Sequence, residues 1–363
     1  MVDLVSIFRE VRDPRQPNAR HDLADILFVS LAAMLCGAKT CVEMAEFAGD
    51  RLEELRQIVD LPHGAPSHDT FSRVFRLLDP QELAKAFEAC LAAVRQSLGL
   101  ASPSGVVALD GKSLRRAYEK GRSHMPAMMV GVFETQTRLA LAQGRALDGA
   151  EIGAALELLK GLSLKGCTVT ADALHCTHAT AAAIRQAKAH YALTLKQNRH
   201  ELWKEAETAF EAAGEGAPSY ETRQTGHGRT EVRRASVLGA ARMKRSFDFP
   251  GLAALARLEA ERSDGERVMR SVRYVLLSRS LTPRKAVEVV RQHWAIENQL
   301  HWPLDVVFDE DDARSRKNYA PENLALLRRI ALNMLTAHPA PGSVARKMRR
   351  ASWDISFFFQ LFT

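Results

Sequence analysis

Nothing in this chain staples it, anchors it or repeats. Its 363 residues hold five cysteines, Cys36, Cys41, Cys90, Cys167 and Cys176. The number is odd and no Cys-x-x-Cys pair occurs, which argues against both a disulfide framework and a zinc knuckle. No charged-then-apolar leader of the secretory kind opens the sequence. The most apolar run, Ile26 to Leu35, is about half the length a bilayer-spanning helix needs and reads as a core helix. There is no internal repeat and no low-complexity tract. These absences leave a reduced, cytoplasmic protein without a membrane partner, long enough for about two or three domains and a sizeable core.

Positive charge is present in excess. The formal net charge of +7 and pI near 9.3 come from arginine clusters, among them Arg115-Arg116, Arg233-Arg234, Arg328-Arg329 and Lys347-Met348-Arg349-Arg350. Such clusters suit a polyanion, although many basic proteins bind none.

Residues 1–98 read as helical throughout. Leu23 to Cys36 is one buried helix stopped by Gly37, Val42 to Gly49 and Arg51 to Val59 are shorter ones, a Ser/Asp cap opens another at Ser67-His68-Asp69, and Pro80 to Leu98 is the last. This stretch could read a DNA end or simply cap the main domain, and no helix in it shows a recognition-helix pattern. Ala101-Ser102-Pro103-Ser104-Gly105 is a linker by composition.

After the linker the texture changes. Val106 to Asp110, Met128 to Phe133 and Arg138 to Ala142 are strand candidates, Ala150 to Leu162 a helix, Cys167 to Asp172 a strand, Thr177 to His190 a helix, and Tyr191 to Leu195 a strand. Three strands followed by helix, strand, helix, strand is the order of a ribonuclease H-like α/β fold. Residues 105–197 then form the first part of that core, 198–281 a β-rich insertion with basic outward positions, in which a helix from Glu201 to Ala213 precedes alternating stretches at Thr230 to Val237 and Arg267 to Leu277, and 282–363 its completion.

In the completing part, Thr282-Pro283 is a helix start, and the spacing of Ala286, Val289, Val290, His293, Trp294, Glu297, Leu300 and His301 predicts one continuous helix with Glu297 facing inward. An inward carboxylate needs a cation, a metal or hydrogen-bond donors. Asp110 and Asp172 meanwhile end two predicted strands. Each could be a turn or cap residue. Together with Glu297 they match another requirement, hard oxygen ligands converging from separate elements on two divalent ions about 4 Å apart.

With those residues in view the chain resembles the DDE transposases of bacterial insertion sequences, within them the H-repeat-associated, ISAs-type group. The carriers run in order along nearly the whole chain: Pro66-Ser67-His68-Asp69-Thr70-Phe71, Leu109-Asp110-Gly111-Lys112-Ser113-Leu114-Arg115, Ala171-Asp172-Ala173-Leu174-His175, Leu195-Lys196-Gln197-Asn198, Gly226 to Arg233, and His293-Trp294-Ala295-Ile296-Glu297-Asn298. The resemblance implies a catalytic and metal-binding triad of Asp110, Asp172 and Glu297, and Mg²⁺, with Mn²⁺ as a substitute. It further implies double-stranded DNA, as transposon ends and target, as partner, a homodimer when two ends are paired, and a nucleoid-associated location.

The chain departs from related cut-and-paste enzymes at one point. Their third helix carries Tyr, Arg and Lys around the Glu, where this sequence has Val290, His293 and Leu304. Phosphate clamping would then pass to Arg291, His301 or the run Arg314-Ser315-Arg316-Lys317, or be absent. Lys112, Arg115, Arg116 and Lys196 are further phosphate candidates, with solvated surface as the bland alternative for each. His293 and Asn298 of the glutamate motif join the candidate DNA contacts. Trp302 could stack on an unpaired base or pack in the core, and a core role is expected of Trp294.

Two tempting readings are set aside. His175, Cys176 and His178 stand too close for a zinc finger. Asp309-Glu310-Asp311-Asp312 lacks the glycine and spacing of a calcium loop and reads as a solvated or arginine-paired turn, with Asp305 or Glu310 as a fallback third carboxylate. The rival functions are a nuclease that cuts without joining and a DNA-binding remnant without catalysis.

Overall fold

The computed structural model describes residues 4–362 apart from 119–124, 198, 218, 227–228, 243–248 and 264–267. Asn198, His227 and Gly228, each part of a motif above, lie outside the described residues.

Six helices come first: α1 (Leu4–Arg9), α2 (Leu23–Leu35), α3 (Cys41–Asp50), α4 (Leu52–Leu55), α5 (His68–Leu77) and α6 (Pro80–Ser97). Their starts follow from capping chemistry. Asp22, Thr40, Ser67 and Asp79 each accept a backbone N–H of the turn they open. Every residue of α2 is buried, so this helix runs through a core and not along a surface.

Three strands follow, β1 (Val106–Leu114), β2 (Ala127–Glu134) and β3 (Leu139–Ala146), then α7 (Glu151–Gly161), β4 (Thr168–Ala171), α8 (His178–Gln186) and β5 (His190–Leu195). β1 pairs antiparallel with β2 and β2 with β3, whereas β1, β4 and β5 run parallel. The order β3-β2-β1-β4-β5 is that of the ribonuclease H-like fold. β1 outruns the strand expected from sequence by four residues, because beyond Asp110 its Gly-Lys-Ser-Leu continuation still pairs with β2.

The segment that follows does not stand apart as an inserted body. After α9 (His200–Ala213) come β6 (Ser219–Gly226), β7 (Arg229–Gly239), β8 (Ala254–Ser263) and β9 (Val268–Leu277). β9 pairs antiparallel with β5, and a single sheet of nine strands results, in the order β3-β2-β1-β4-β5-β9-β8-β7-β6. The near ends of β8 and β9 are buried, at Ala254 to Ala256 and Val275 to Leu277, while the far end of β8 is mostly half-buried and that of β9, Val268 to Val272, is exposed on both faces.

Across this junction lies α10 (Pro283–His293), whose Ala286 and Val289 pack with Val106, Ala192, Val237, Ala254, Ala256, Val275 and Leu277. The chain closes with α11 (Trp302–Val306), α12 (Ala320–Ala337), α13 (Val344–Trp353) and α14 (Ile355–Gln360).

The first and last helices share one hydrophobic core with the sheet, from Leu4 to Phe362. Polar pins hold the layers together. Asn323 of α12 donates to the Phe75 and Leu78 carbonyls at the end of α5. Asn333 pairs with both the N–H and the C=O of Ala140 on edge strand β3. Arg95 of α6 and Glu134 of β2 form a buried salt bridge. A buried polar group left unpaired costs more than the bond itself yields, so each pin also fixes register.

Several basic residues counted above as polyanion-facing are structural instead. Arg328 and Arg329 are fully buried, and Lys347 donates to the Leu335 and His338 carbonyls that end α12.

Candidate active site

The β1–β4 ladder ends at the pair Leu109–Ala171. Asp110 and Asp172 are the next residue on each strand, and neighbouring strands lie about 4.8 Å apart. The two acids therefore leave the sheet side by side. Asp110 Oδ1 accepts the Gly111 N–H at 2.9 Å, and Asp172 Oδ1 accepts the Leu174 N–H at 3.0 Å, capping a 3₁₀ turn at Ala173–His175. Burial pushes the Asp110 carboxyl up to about 6; the Gly111 N–H opposes this, and the charges of Asp172, Glu297 and Glu151 reinforce it.

The continuous helix expected from Pro283 to His301 does not form, and Glu297 is exposed instead of inward. α10 stops at His293, and Glu297–His301 is a π-helical turn closed by the Trp302 N–H on the Glu297 carbonyl. Pro303 follows at the start of α11 with no N–H to carry a four-residue ladder back. The wider turn shifts the phase of every side chain after it. Ile296, Leu300 and Leu304 take the buried positions. Trp294, expected in the core, is 40% exposed and lies under the Arg273 guanidinium at 5.2 Å, and Trp302 is 57% exposed.

His293 and His301 line the same region. His293 Nδ1 lies 3.1 Å from Thr170 Oγ1, and His301 Nδ1 lies 3.8 Å from Asp110 Oδ2. Burial, foremost, holds both imidazoles down at about 4. At neutral pH each imidazole is uncharged and has one N–H to offer a phosphate but no positive charge.

Lys112, two residues past Asp110, is buried among acids. Its Nζ is 2.5 Å from Asp305 Oδ1, 2.9 Å from Asp311 Oδ1 and 3.7 Å from Glu310 Oε2. Glu310 in turn lies 3.0 Å from the buried Arg329. Arg115 and Arg116 pair with Asp311 and Asp312 at 3.1 and 2.9 Å. The Asp309–Asp312 stretch is thus an arginine-paired turn, and Asp305 and Glu310 are engaged by cations instead of serving as a third carboxylate. Lys112 is occupied too, and this corrects the expectation of a phosphate contact from it.

Of the other basic candidates, Arg316 donates to the Arg116 carbonyl at 2.8 Å and lies over the Tyr118 ring. Arg291, Arg314 and Lys196 are exposed. Lys196 and Asp172 share a groove of about 980 Å³ walled by α9 and by Arg257 and Arg273 of the extended sheet. A second cleft, of about 430 Å³, is lined by Arg233, Arg234, Arg273, Arg291, Trp294 and Asn298, with Glu231 and Glu259 among its acids. Asn298 Nδ2 donates to the Trp294 carbonyl at 3.2 Å.

Among the described residues no three His, Cys, Asp or Glu side chains stand close enough to hold a metal ion as placed. The donor set nevertheless suits hard divalent cations. Among the described residues Asp172 and Glu297 form no salt bridge, Asp110 has only the uncharged His301 beside it, and the exposed Glu297 side chain has room to change rotamer.

The sheet order and the acids at its strand ends define a ribonuclease H-like protein. Residues 5–90 match the DDE_Tnp_1-associated family and residues 101–334 the Transposase DDE domain family. "H repeat-associated putative transposase YhhI" of Escherichia coli (strain K12) is 32% identical over 359 residues, 96% of this chain and 94% of that one. "Putative transposase YncI" of Escherichia coli O157:H7 is 31% identical over 369 residues, 98% of this chain and 93% of that one. A solved piggyBac transposase synaptic complex with hairpin DNA aligns with 99% of this chain and 77% of its own at TM-score 0.42 and 16% identity. The chain belongs to the DDE transposase family.

Proposed function

We propose that this transposase cuts at the ends of its element and joins the freed 3′-OH to target DNA, with Asp110, Asp172 and Glu297 as the catalytic, metal-holding acids. The observation that carries the reading is the β1–β4 ladder, which ends at Leu109–Ala171 and leaves Asp110 and Asp172 side by side with no Lys or Arg paired to either among the described residues, while the acids just beyond, Asp305, Glu310 and Asp311, are matched to cations. Such a gathering is unfavourable without an external positive charge. Mg²⁺ or Mn²⁺, when bound, would supply that charge, activate the attacking oxygen and neutralise charge growing on the phosphoryl group.

The chain's own residues do the rest. The parallel ladder fixes Asp110 beside Asp172, and Glu297, exposed on the π-helical turn, would join them by a change of rotamer. Arg291, Arg233, Arg234 and Arg273 draw the DNA backbone to the clefts beside the acids, with Lys196 at the groove mouth and Arg314 at the outer edge. Exposed Trp302 offers a face to an unstacked base. Residues 105–197 and 282–363 form the catalytic part, 198–281 present the basic strands, and 1–98 brace the whole. Two copies pair two ends.

The test is cleavage and joining of labelled DNA carrying the element's own ends, with Mg²⁺ or EDTA, for the wild type and Glu297→Gln. Metal-dependent joining lost in the variant supports the proposal. Cutting without joining makes it a nuclease, and full activity in the variant moves the third carboxylate elsewhere.

A further inference from the structure

Glu151, the first residue of α7, was not among the residues singled out from sequence, yet its carboxylate does not point to solvent. A Cβ placed on Gly111 would collide with Glu151 Oε1 and lie 2.6 Å from its Cδ. The carboxylate therefore fills the space where any other residue at 111 would begin its side chain. The N–H of that same glycine is bonded to Asp110 Oδ1. Side chains alternate across a strand, so the two carboxylates approach one peptide unit from opposite faces of the sheet.

The sheet lets them meet. With the β1–β4 ladder ended at Leu109–Ala171, β1 continues while the other chain turns away through Asp172. Beyond Leu109 the edge of β1 that faced β4 therefore carries no ladder, and only β1 separates the two faces there.

A second group is built around Glu151. His175, in the turn after Asp172, is fully buried, and its Nε2 donates to Glu151 Oε1 at 3.2 Å, while its Nδ1 has no partner. Burying a histidine with one unpaired nitrogen is costly. The return is a carboxylate held in one orientation with no Lys or Arg paired to it among the described residues. This is how ligating groups are commonly oriented by a neighbour.

We propose that Glu151 is a fourth carboxylate of the divalent-cation site, with His175 as its positioning residue. The proposal deepens the reading above and rests on it. The ligand is a hard cation of the Mg²⁺ or Mn²⁺ kind, and Glu151 contributes from the face of the sheet opposite the Glu297 turn.

The experiment is Mn²⁺ binding to the full chain without DNA, followed by water-proton relaxation, with thermal melting as a check on folding. Glu151→Gln is expected to weaken Mn²⁺ at least about 10-fold, whereas Glu157→Gln, on the exposed side of α7 and paired to Lys160, leaves it unchanged. Gly111→Ala removes no charge but displaces the carboxylate. It should lose comparable affinity in the wild type and none further in a Glu151→Ala background, a non-additivity that a purely structural role would not produce. If Glu151→Gln fails to fold, Glu151→Asp, with the same charge on a shorter arm, is measured in its place. His175→Gln, which keeps a donor, should bind better than His175→Leu.

Wild-type affinity in Glu151→Gln alongside loss in Glu297→Gln overturns this proposal and leaves the three-acid reading intact. No Mn²⁺ binding by the wild type overturns both.

Discussion

Glu310→Gln removes one charge from the buried network and keeps its shape. Glu310 and Arg329 are each 1% exposed and 3.0 Å apart. At an effective dielectric of about 20 their attraction is roughly 5 kcal/mol, offset by the cost of taking both ions out of water. The variant keeps that cost for Arg329 and leaves Lys112 with two acids in place of three. A loss of about 3–5 kcal/mol follows. With an unfolding entropy of about 2.1 cal/mol/K per residue over 363 residues, the melting temperature should fall by about 4–7 °C.

Circular dichroism melts check this. Replacing both partners, Glu310→Leu with Arg329→Met, should recover much of the loss, because well-packed apolar groups replace buried ions at little cost. The pH dependence has a definite sign. Burial pushes the Glu310 carboxyl up, but Arg329, Arg328 and Lys112 outweigh it and hold it below its ordinary value. Its contribution is therefore complete above a pH of about 4.3 and fades as pH falls through the lower folded value. The gap between wild type and variant should close in acid. A single variant melting within about 1 °C of wild type at pH 7, or a double variant as damaged as the single, would refute the reasoning.

Further outcomes can be stated briefly. Arg291→Gln should weaken binding of all duplexes alike and reduce the salt slope by about 0.9, the share of one phosphate contact; an unchanged slope in a salt titration would remove Arg291 from the interface. Trp302→Ala should melt within about 0.5 kcal/mol of wild type, the side chain being 57% exposed, yet lose about 5-fold or more in end joining if a base stacks there. Deleting residues 1–98 uncovers α12, whose residues from Ala320 to Leu335 are nearly all buried. The remainder should aggregate or lose its cooperative melt, and a soluble, sharply melting 105–363 fragment would contradict the shared core.

Much of the ribonuclease H-like order was legible because β-branched and apolar runs such as Cys167-Thr-Val-Thr-Ala and Tyr191-Ala-Leu-Thr-Leu are short, bounded and buried on both faces. β6 and β8 were missed for opposite reasons. Ser219–Gly226 is too polar to show a buried face, and Ala254–Ser263 mixes Ala, Leu, Arg and Glu in proportions that suit a helix equally. Glu297 was placed inward because three-and-four spacing assumes a uniform helix, and nothing but Pro303 hints at the wider turn. Lys112 gave no sign of its burial, since its partners lie 193 to 199 residues away in sequence. Glu151 was not singled out, since an acid in the first turn of a helix is commonplace. The one available signal was the glycine beside Asp110, and a glycine in a strand often marks something pressing close.

The nine-strand sheet has a mechanical meaning. Because β9 is hydrogen-bonded to β5 along Ala192–Leu195, the far basic strands and the strand leading to Asp172 belong to one stiff plate. A DNA backbone pulled against β6 or β7 loads the ladder and not a hinge. On the proposal above, any tightening of the acids around a scissile phosphate would fall to the short π-helical stretch that carries Glu297 and not to the ladder that sets Asp110 beside Asp172.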